Sequence, residues 1–115
     1  MAVNLAVPLV LLPRYTTLAG PHTFTTTPIP VVDYAELEVA VWRGLIVGAG
    51  SVGFEMQESM DLATWYGIGG SDPGEDTEII VTASITRAWL RARIAVIGSC
   101  TVSWYGLGAL FRRRR

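Results

Sequence analysis

Five segments of this chain carry apolar side chains at every second position, and this alternation constrains the fold more than any other feature. A period of two is typical of half-buried β-strands, and clusters of Gly, Ser, Asp and Pro separate the segments. The pattern therefore predicts an all-β domain, an antiparallel β-sandwich with one interior layer. The alternating apolar positions are Leu37, Val39 and Val41; Val52, Phe54 and Met56; Ile79, Val81, Ala83 and Ile85; Ala88, Leu90, Ala92, Ile94 and Val96; and Cys100, Val102 and Trp104.

The chain has 115 residues, half of them hydrophobic, which suits one compact domain. Residues 1–34 differ from the rest, because they are rich in Thr and hold most of the prolines. Such a composition disfavours helix and predicts an extended N-terminal arm, with a short strand at 3–12 added to a sheet edge. The sandwich domain is then expected at 35–111, followed by a basic tail at 112–115.

Three glycines, Gly48, Gly50 and Gly53, follow an apolar run with the G-x-G-x-x-G spacing of a dinucleotide-binding turn. That site needs a helix after the turn and a second parallel strand that ends in an acidic residue. Here the residues after Gly53 alternate like a strand, and the chain cannot supply βαβ repeats. The glycines are therefore interpreted as a β-hairpin turn, and residues 98–100 as another tight hairpin. Only 59–66 could form a brief helical turn.

The charges are divided along the chain. All ten acidic residues lie from Asp33 to Glu78, whereas seven arginines and no acid follow Ile85, and lysine is absent throughout. This asymmetry suggests head-to-tail contacts between copies or a basic surface that faces a polyanion. Arginine is favoured at interfaces, but a GC-rich genome would also enrich it over lysine.

An arginine stripe on one predicted strand is the sharpest candidate for a protein interface. Its residues could meet an acidic protein surface or stack on bases or sugars, or they could form cross-strand ion pairs with Glu36, Glu38 or Glu55. A second basic group at the C-terminus is a candidate tether to an acidic neighbour, and its contact with nucleic acid would be weak and salt-dependent. The candidate interface residues are Arg87, Trp89, Arg91 and Arg93 in the stripe, and Arg112, Arg113, Arg114 and Arg115 in the tail.

The residues that could carry catalysis or bind metal are sparse. His22 is the only histidine and lies in the predicted arm, and Cys100 has the parity of a buried strand residue, so no catalytic residue, cofactor or metal site is predicted. The acids of the 67–77 loop and Glu78 could hold Ca²⁺, but solvated carboxylates explain them better. The apolar run before Pro13 is too short to span a bilayer and lacks the start of a signal peptide, so a cytoplasmic product without a membrane partner is expected.

Residues 52–69 and 85–110 carry a resemblance to a protein class. The run Gln57-Glu58-Ser59 with Asp61 and Trp65, then the R-x-W-L-R strand and the closing V-S-W-Y strand, resembles small β-sandwich modules of tailed-bacteriophage virions. The resemblance covers about 37–110. It implies a decoration (cement), minor capsid or head–tail protein, located in the virion, that forms homo-oligomers and binds a major capsid or other virion protein.

A second class shares the same broad pattern, namely jelly-roll and discoidin-like modules that bind sugars. In a carbohydrate-binding module, Trp42, Trp65 or Trp89 would stack on the sugar. The chain departs from that class because it shows no clear sugar-binding constellation. This function is kept as the alternative.

Overall fold

The fold is built entirely from strands. The computed structural model describes residues 6–113, and within that range it contains ten strands and no helix. The predicted all-β class is therefore confirmed, whereas residues 60–64 form bends rather than the helical turn that the sequence allowed within 59–66. The strands are β1 (Ala6–Ala19), β2 (His22–Thr25), β3 (Ile29–Pro30), β4 (Tyr34–Arg43), β5 (Val47–Gly48), β6 (Ser51–Ser59), β7 (Tyr66–Gly69), β8 (Thr77–Ser84), β9 (Trp89–Ile97) and β10 (Cys100–Arg112).

The strands form two antiparallel sheets with a nested order of pairing. Sheet A has the order β1-β10-β4-β8, with the short β5 also on β10, and sheet B has the order β2-β9-β6-β7, with the short β3 also on β9. Apart from the two short strands, the first strand pairs with the last, the second with the next to last, and so on to the central pair β6 and β7. A long hairpin rolled into two sheets in this way is a jelly roll, and it confirms the predicted sandwich.

The core lies between the sheets and uses the alternating residues that the sequence singled out. Leu37, Val39 and Val41 of β4 are buried against Phe54 and Met56 of β6 in one apolar cluster. On β4 the positions of opposite parity are exposed or half-buried, as in other antiparallel sandwiches. Hydrophobic periodicity therefore identified the inner face of these strands correctly.

The N-terminal segment is part of the sandwich. Residues 6–19 form the edge of sheet A and pair with β10, and β2 forms an edge of sheet B, so the segment is extended as predicted but is not a separate arm. Pro8 and Pro13 are tolerated because an edge strand has one side without partners. Residues 1–5, which include the start of the predicted strand 3–12, lie outside the described residues. The predicted boundary at residue 34 falls at the first residue of β4, which begins at Tyr34.

The G-x-G-x-x-G segment connects two strands, as predicted, but these strands do not form a hairpin. Gly48 ends β5 in sheet A with a φ of +103°, and Ser51 begins β6 in sheet B. The 98–100 segment likewise links β9 of sheet B to β10 of sheet A. Both hairpin predictions are wrong, because each turn carries the chain from one sheet to the other. A strand follows the glycines where a dinucleotide site would need a helix.

Three crossovers between the sheets meet at one corner, where their backbones touch. A Cβ atom added to Gly50 would overlap the carbonyl oxygen of Ile97. One added to Gly98 would lie 2.5 Å from the carbonyl oxygen of Ala49, and one added to Gly20 would lie 2.6 Å from that of Gly98. Real Cβ atoms do not approach other atoms so closely, so side chains larger than hydrogen would force the crossovers apart.

The first prediction compares two glycines of the same motif. Gly50→Ala should lower the free energy of unfolding by about 2–3 kcal/mol, because the new methyl group meets main-chain atoms that cannot move independently. Gly53→Ala is the matched control, since no atom lies within 4 Å of the position that its Cβ would take. That variant should be neutral or more stable by about 0.5 kcal/mol through reduced entropy of the unfolded chain. Urea unfolding measures both, and equal effects would contradict the packed corner.

Candidate interaction surfaces

Arg87 belongs to an internal ion pair at the end of the sandwich opposite the glycine corner. It precedes β9, and its Nη1 atom donates to Glu58 Oε2 at 2.5 Å while its guanidinium lies 4.1 Å from the centre of the Tyr66 ring. Glu58 is only 2% exposed and also accepts hydrogen bonds from the Thr86 N–H and hydroxyl, each at 2.9 Å. The arginine thus neutralises a buried carboxylate rather than standing free for a partner.

The loop after β6 is held by its own polar side chains. Ser59 is fully buried, and its Oγ accepts hydrogen bonds from the N–H groups of Asp61 and Leu62. The Asp61 carboxylate accepts from the N–H groups of Ala63 and Thr64, both at 2.9 Å. These bonds replace helical ones, which is why the segment bends without forming a helical turn. The segment Gln57-Glu58-Ser59 therefore fixes the loop that joins the central strands β6 and β7.

Protonation of Glu58 is opposed by its hydrogen bonds. Burial disfavours its charge, but the donors from Thr86 and Arg87 together outweigh burial and hold the pKa below its ordinary value of 4.5. A carboxylate with a lowered folded-state pKa contributes stability above its unfolded pKa, and that stability is lost as the pH falls through the folded pKa.

The second prediction is that Glu58→Gln costs about 2–3 kcal/mol of unfolding free energy at pH 7, because the amide cannot neutralise Arg87. The difference from the unchanged protein should shrink as the pH falls below about 4.5, since the protonated carboxyl also loses the ion pair. Glu36→Gln, at an exposed position of β4, serves as the control and should change stability by less than about 0.5 kcal/mol. A cost for Glu58→Gln that is independent of pH would refute the charge argument.

The rest of the predicted stripe lies on the outer face of sheet B, and one of its arginines is also engaged internally. Arg91 lies 4.1 Å from the centre of the Trp65 ring, and its Nε donates to Gln57 at 2.8 Å. Trp89 is half-buried at the start of β9. Arg93 is exposed, stands opposite Glu55 in the register, and forms no ion pair or ring contact within residues 6–113. Among the three arginines of the stripe, Arg93 is therefore the one without an ion pair or ring contact to the described residues.

The described part of the basic tail is fastened to the sandwich. Arg112 ends β10, and its guanidinium lies 5.4 Å from the centre of the Tyr34 ring. Arg113 donates to the carbonyl oxygens of Val32 and Ile85 at 3.1 and 3.2 Å, which ties two crossover loops to the end of the last strand. Arg112 and Arg113 thus contact the sandwich itself, and their role as a tether to an acidic neighbour stays a prediction. Arg114 and Arg115 lie outside the described residues.

These contacts explain how the chain uses arginine in place of lysine. Within residues 6–113, four guanidinium groups lie over aromatic rings, and Arg43 holds Asp72 through two parallel bonds of 2.6 and 3.0 Å. A planar fork can stack on a ring and bind a carboxylate in two places, which an ammonium group cannot do. The stacked pairs are Arg14 with Tyr105, Arg87 with Tyr66, Arg91 with Trp65, and Arg112 with Tyr34.

The third prediction separates the stacked and the free arginine of β9. Arg91→Lys should lower the unfolding free energy by about 0.5–1 kcal/mol, because it loses the ring contact and the hydrogen bond to Gln57. Arg93→Lys, two residues away on the same face, should have no measurable effect. Thermal or urea unfolding of the two variants provides the comparison, and equal stabilities would mean that the stacking contributes nothing.

The outer face of sheet A carries an aromatic cluster formed by Tyr15, Trp42 and Tyr105. The Trp42 and Tyr105 rings are stacked with centres 5.5 Å apart, and Tyr15 meets both of them edge-on. Arg14 lies over the Tyr105 ring, whose hydroxyl donates to Glu78. Sequence reasoning missed the cluster because its members come from three strands far apart in the chain. Only Trp42 could have been noticed, since it shares the outward parity of Glu36 and Glu38.

An apolar row crosses the same outer face next to this cluster. The register places Ile80 beside Ala40, Ala40 beside Leu107, and Leu107 beside Val10, so the row spans all four long strands. Ile80 is 58% exposed and Val10 is 60% exposed, while the two central residues are half-buried. The solvent face of an antiparallel sheet is normally polar, so this row is a candidate contact surface.

The loop acids have separate partners and do not converge on one point. Asp72 is bound by Arg43, Asp76 accepts from the Trp42 indole N–H at 3.1 Å, and Glu78 accepts from Tyr105. No group of three or more potential metal ligands occurs among residues 6–113. An open depression of about 520 Å³ lies beside this loop, and it is lined by Trp42, Gly44, Leu45, Glu75, Asp76 and Ser103.

Cys100 and His22, the two remaining candidate reactive groups, have ordinary structural surroundings. Cys100 is buried, as its parity predicted, with its Sγ 3.6 Å from the Ile97 carbonyl oxygen. His22 is exposed at the start of β2 and packs edge-on against Phe24 at 4.5 Å. Neither contacts a carboxylate or a second nucleophile within the described residues.

Comparisons with known proteins add no family: no family model matches the chain, and no curated protein is significantly similar to it. Among the described residues, no helix is long and apolar enough to cross a membrane.

Proposed function

We propose that this protein is a structural component of a virion, which binds copies of itself and a capsid or tail protein and thereby stabilises the particle. The jelly roll is compatible with this role, because viral capsid proteins use the same architecture. Lectin domains and enzymes also use it, so the fold alone does not decide the function. The proposal rests on the outer surfaces of the sandwich.

The observation that carries the proposal is the apolar row next to the aromatic cluster on sheet A. Exposed apolar side chains that span a whole sheet face are typical of a surface covered by another protein. Tyr, Trp and Arg are enriched at the centres of such interfaces, and Tyr15, Trp42 and Arg14 lie at one end of this row. A binding role, rather than a catalytic one, is therefore proposed.

The outer face of sheet B is the surface we assign to the capsid or tail protein. Arg93 and Ile97 are exposed on this face, and Trp89 is half-buried. Arg93 is free to reach an acidic partner, whereas Arg91 supports the local structure through Trp65. The assembly would place the chain in the virion, with two faces that serve different contacts.

A carbohydrate-binding module is the second candidate, and the depression beside Trp42 favours it. An indole beside the carboxylates of Glu75 and Asp76 and the Ser103 hydroxyl supplies both stacking and hydrogen-bonding groups for a sugar. The other two tryptophans considered for this role are less suitable, since Arg91 covers Trp65 and Trp89 is half-buried. Retention of the domain on polysaccharide affinity gels, lost in Trp42→Ala, would favour this alternative.

The fourth prediction concerns the location of the protein. Antibodies raised against the chain should detect it in density-purified particles released by the strain that carries its gene, at a constant ratio to the major capsid protein. Arg93→Glu should reduce its recovery with the particles, and the stability-neutral Arg93→Lys is the control. Absence of the protein from purified particles, while it remains in the soluble lysate, would refute the virion role.

A further inference from the structure

The charges on the outer face of sheet A are divided between its two halves. The acidic residues Glu36 and Glu38 lie on β4, and Glu78 lies on the neighbouring edge strand β8. On the other half, the exposed Arg14 lies on the edge strand β1 with its guanidinium over the Tyr105 ring. The boundary between the halves runs parallel to the strands, between β4 and β10.

From this arrangement we infer that two copies of the chain associate face to face through sheet A, about a two-fold axis that runs along that boundary. Such an axis places the acidic half of each copy on the basic half of the other. The same patch then serves both copies, as a closed two-fold dimer requires. The inference rests on the proposed self-association and deepens it by naming the partner of this face as a second copy.

The apolar row agrees with the same axis. Rotation about it sets Ile80 of one copy against Val10 of the other, and the small Ala40 against the large Leu107. Small residues opposite large ones allow two faces to interdigitate without leaving voids. The charged residues at the edges follow the same exchange, because Glu78 comes to face Arg14 of the second copy.

The size of the face predicts the strength of the association. Four strands at about 4.8 Å spacing and seven residues at about 3.3 Å rise give a footprint of about 19 Å by 23 Å. The area of this footprint is smaller than the roughly 800 Å² of surface that each partner buries in a standard interface. The isolated dimer should therefore be weak and concentration-dependent in solution, and further contacts in a particle would strengthen it.

The fifth prediction uses sedimentation equilibrium over a concentration series of the full chain. The unchanged protein should shift from monomer to dimer, and Ile80→Lys should raise the dissociation constant at least about tenfold, because the ammonium group would be buried in the contact. Ile97→Lys makes the same change at a residue that is 60% exposed on the opposite sheet, and it should leave the dimer intact. Equal weakening by both variants, or a protein that stays monomeric at every concentration, would overturn the inference.

A charge-exchange experiment tests the axis itself. Glu78→Arg and Arg14→Glu should each dimerise poorly alone, because each variant places like charges opposite one another twice. A mixture of the two variants restores two opposite-charge pairs, so heterodimers should form with an affinity near that of the unchanged protein. Recovery on mixing can arise only between copies, and its absence would overturn the proposed axis even where local folding is affected.

The dimer and the virion role can fail separately. A protein that remains monomeric but is found in purified particles would refute the face-to-face dimer and leave the proposed function standing. A protein that dimerises through Ile80 but is absent from particles would refute the virion role and leave the dimer standing.

Discussion

The close contact of three crossovers at one corner is the constraint on which the rest of this sandwich depends. At Gly20, Gly50 and Gly98 the chain passes between the sheets, and the backbones approach too closely for any Cβ atom. This approach sets where β2, β6 and β10 begin, and therefore sets the register of the long strands that leave the corner. The outward-facing residues keep their positions on the surface because the first residues of β2, β6 and β10 are held in place.

The opposite end of the sandwich is held by side chains. The buried Glu58 binds the segment before β9 through Thr86 and Arg87, and Arg113 binds the carbonyl oxygens of two crossover loops. Glycine contacts depend little on pH, whereas the Glu58 network depends on the charge of one carboxylate. The two ends of the molecule thus resist unfolding through different physical effects, and acid should weaken one of them first.

The surfaces follow from this framework. Most of the described arginines neutralise acids or stack on rings, so they contribute to the fold of the single chain. The remaining exposed surface includes an apolar row that crosses sheet A from its acidic half to the half that carries Arg14, and Arg93 on sheet B. The proposed assembly contact therefore lies first on sheet A, and the predicted arginine stripe contributes less to it because Arg87 and Arg91 are engaged within the fold.

The sequence by itself determined the class of the fold and the inner face of its strands, because a period of two places alternate residues on opposite faces whatever their partners. It could not determine which strands pair, since the same alternation allows hairpins or crossovers at Gly50 and Gly98. Only the tertiary structure decided this, through close packing of the crossovers, and it also brought Val10 beside Leu107 across nearly the whole chain. The aromatic cluster, the stacked arginines and the divided charges of sheet A arise from such long-range pairing, and a linear pattern carries no signal for them.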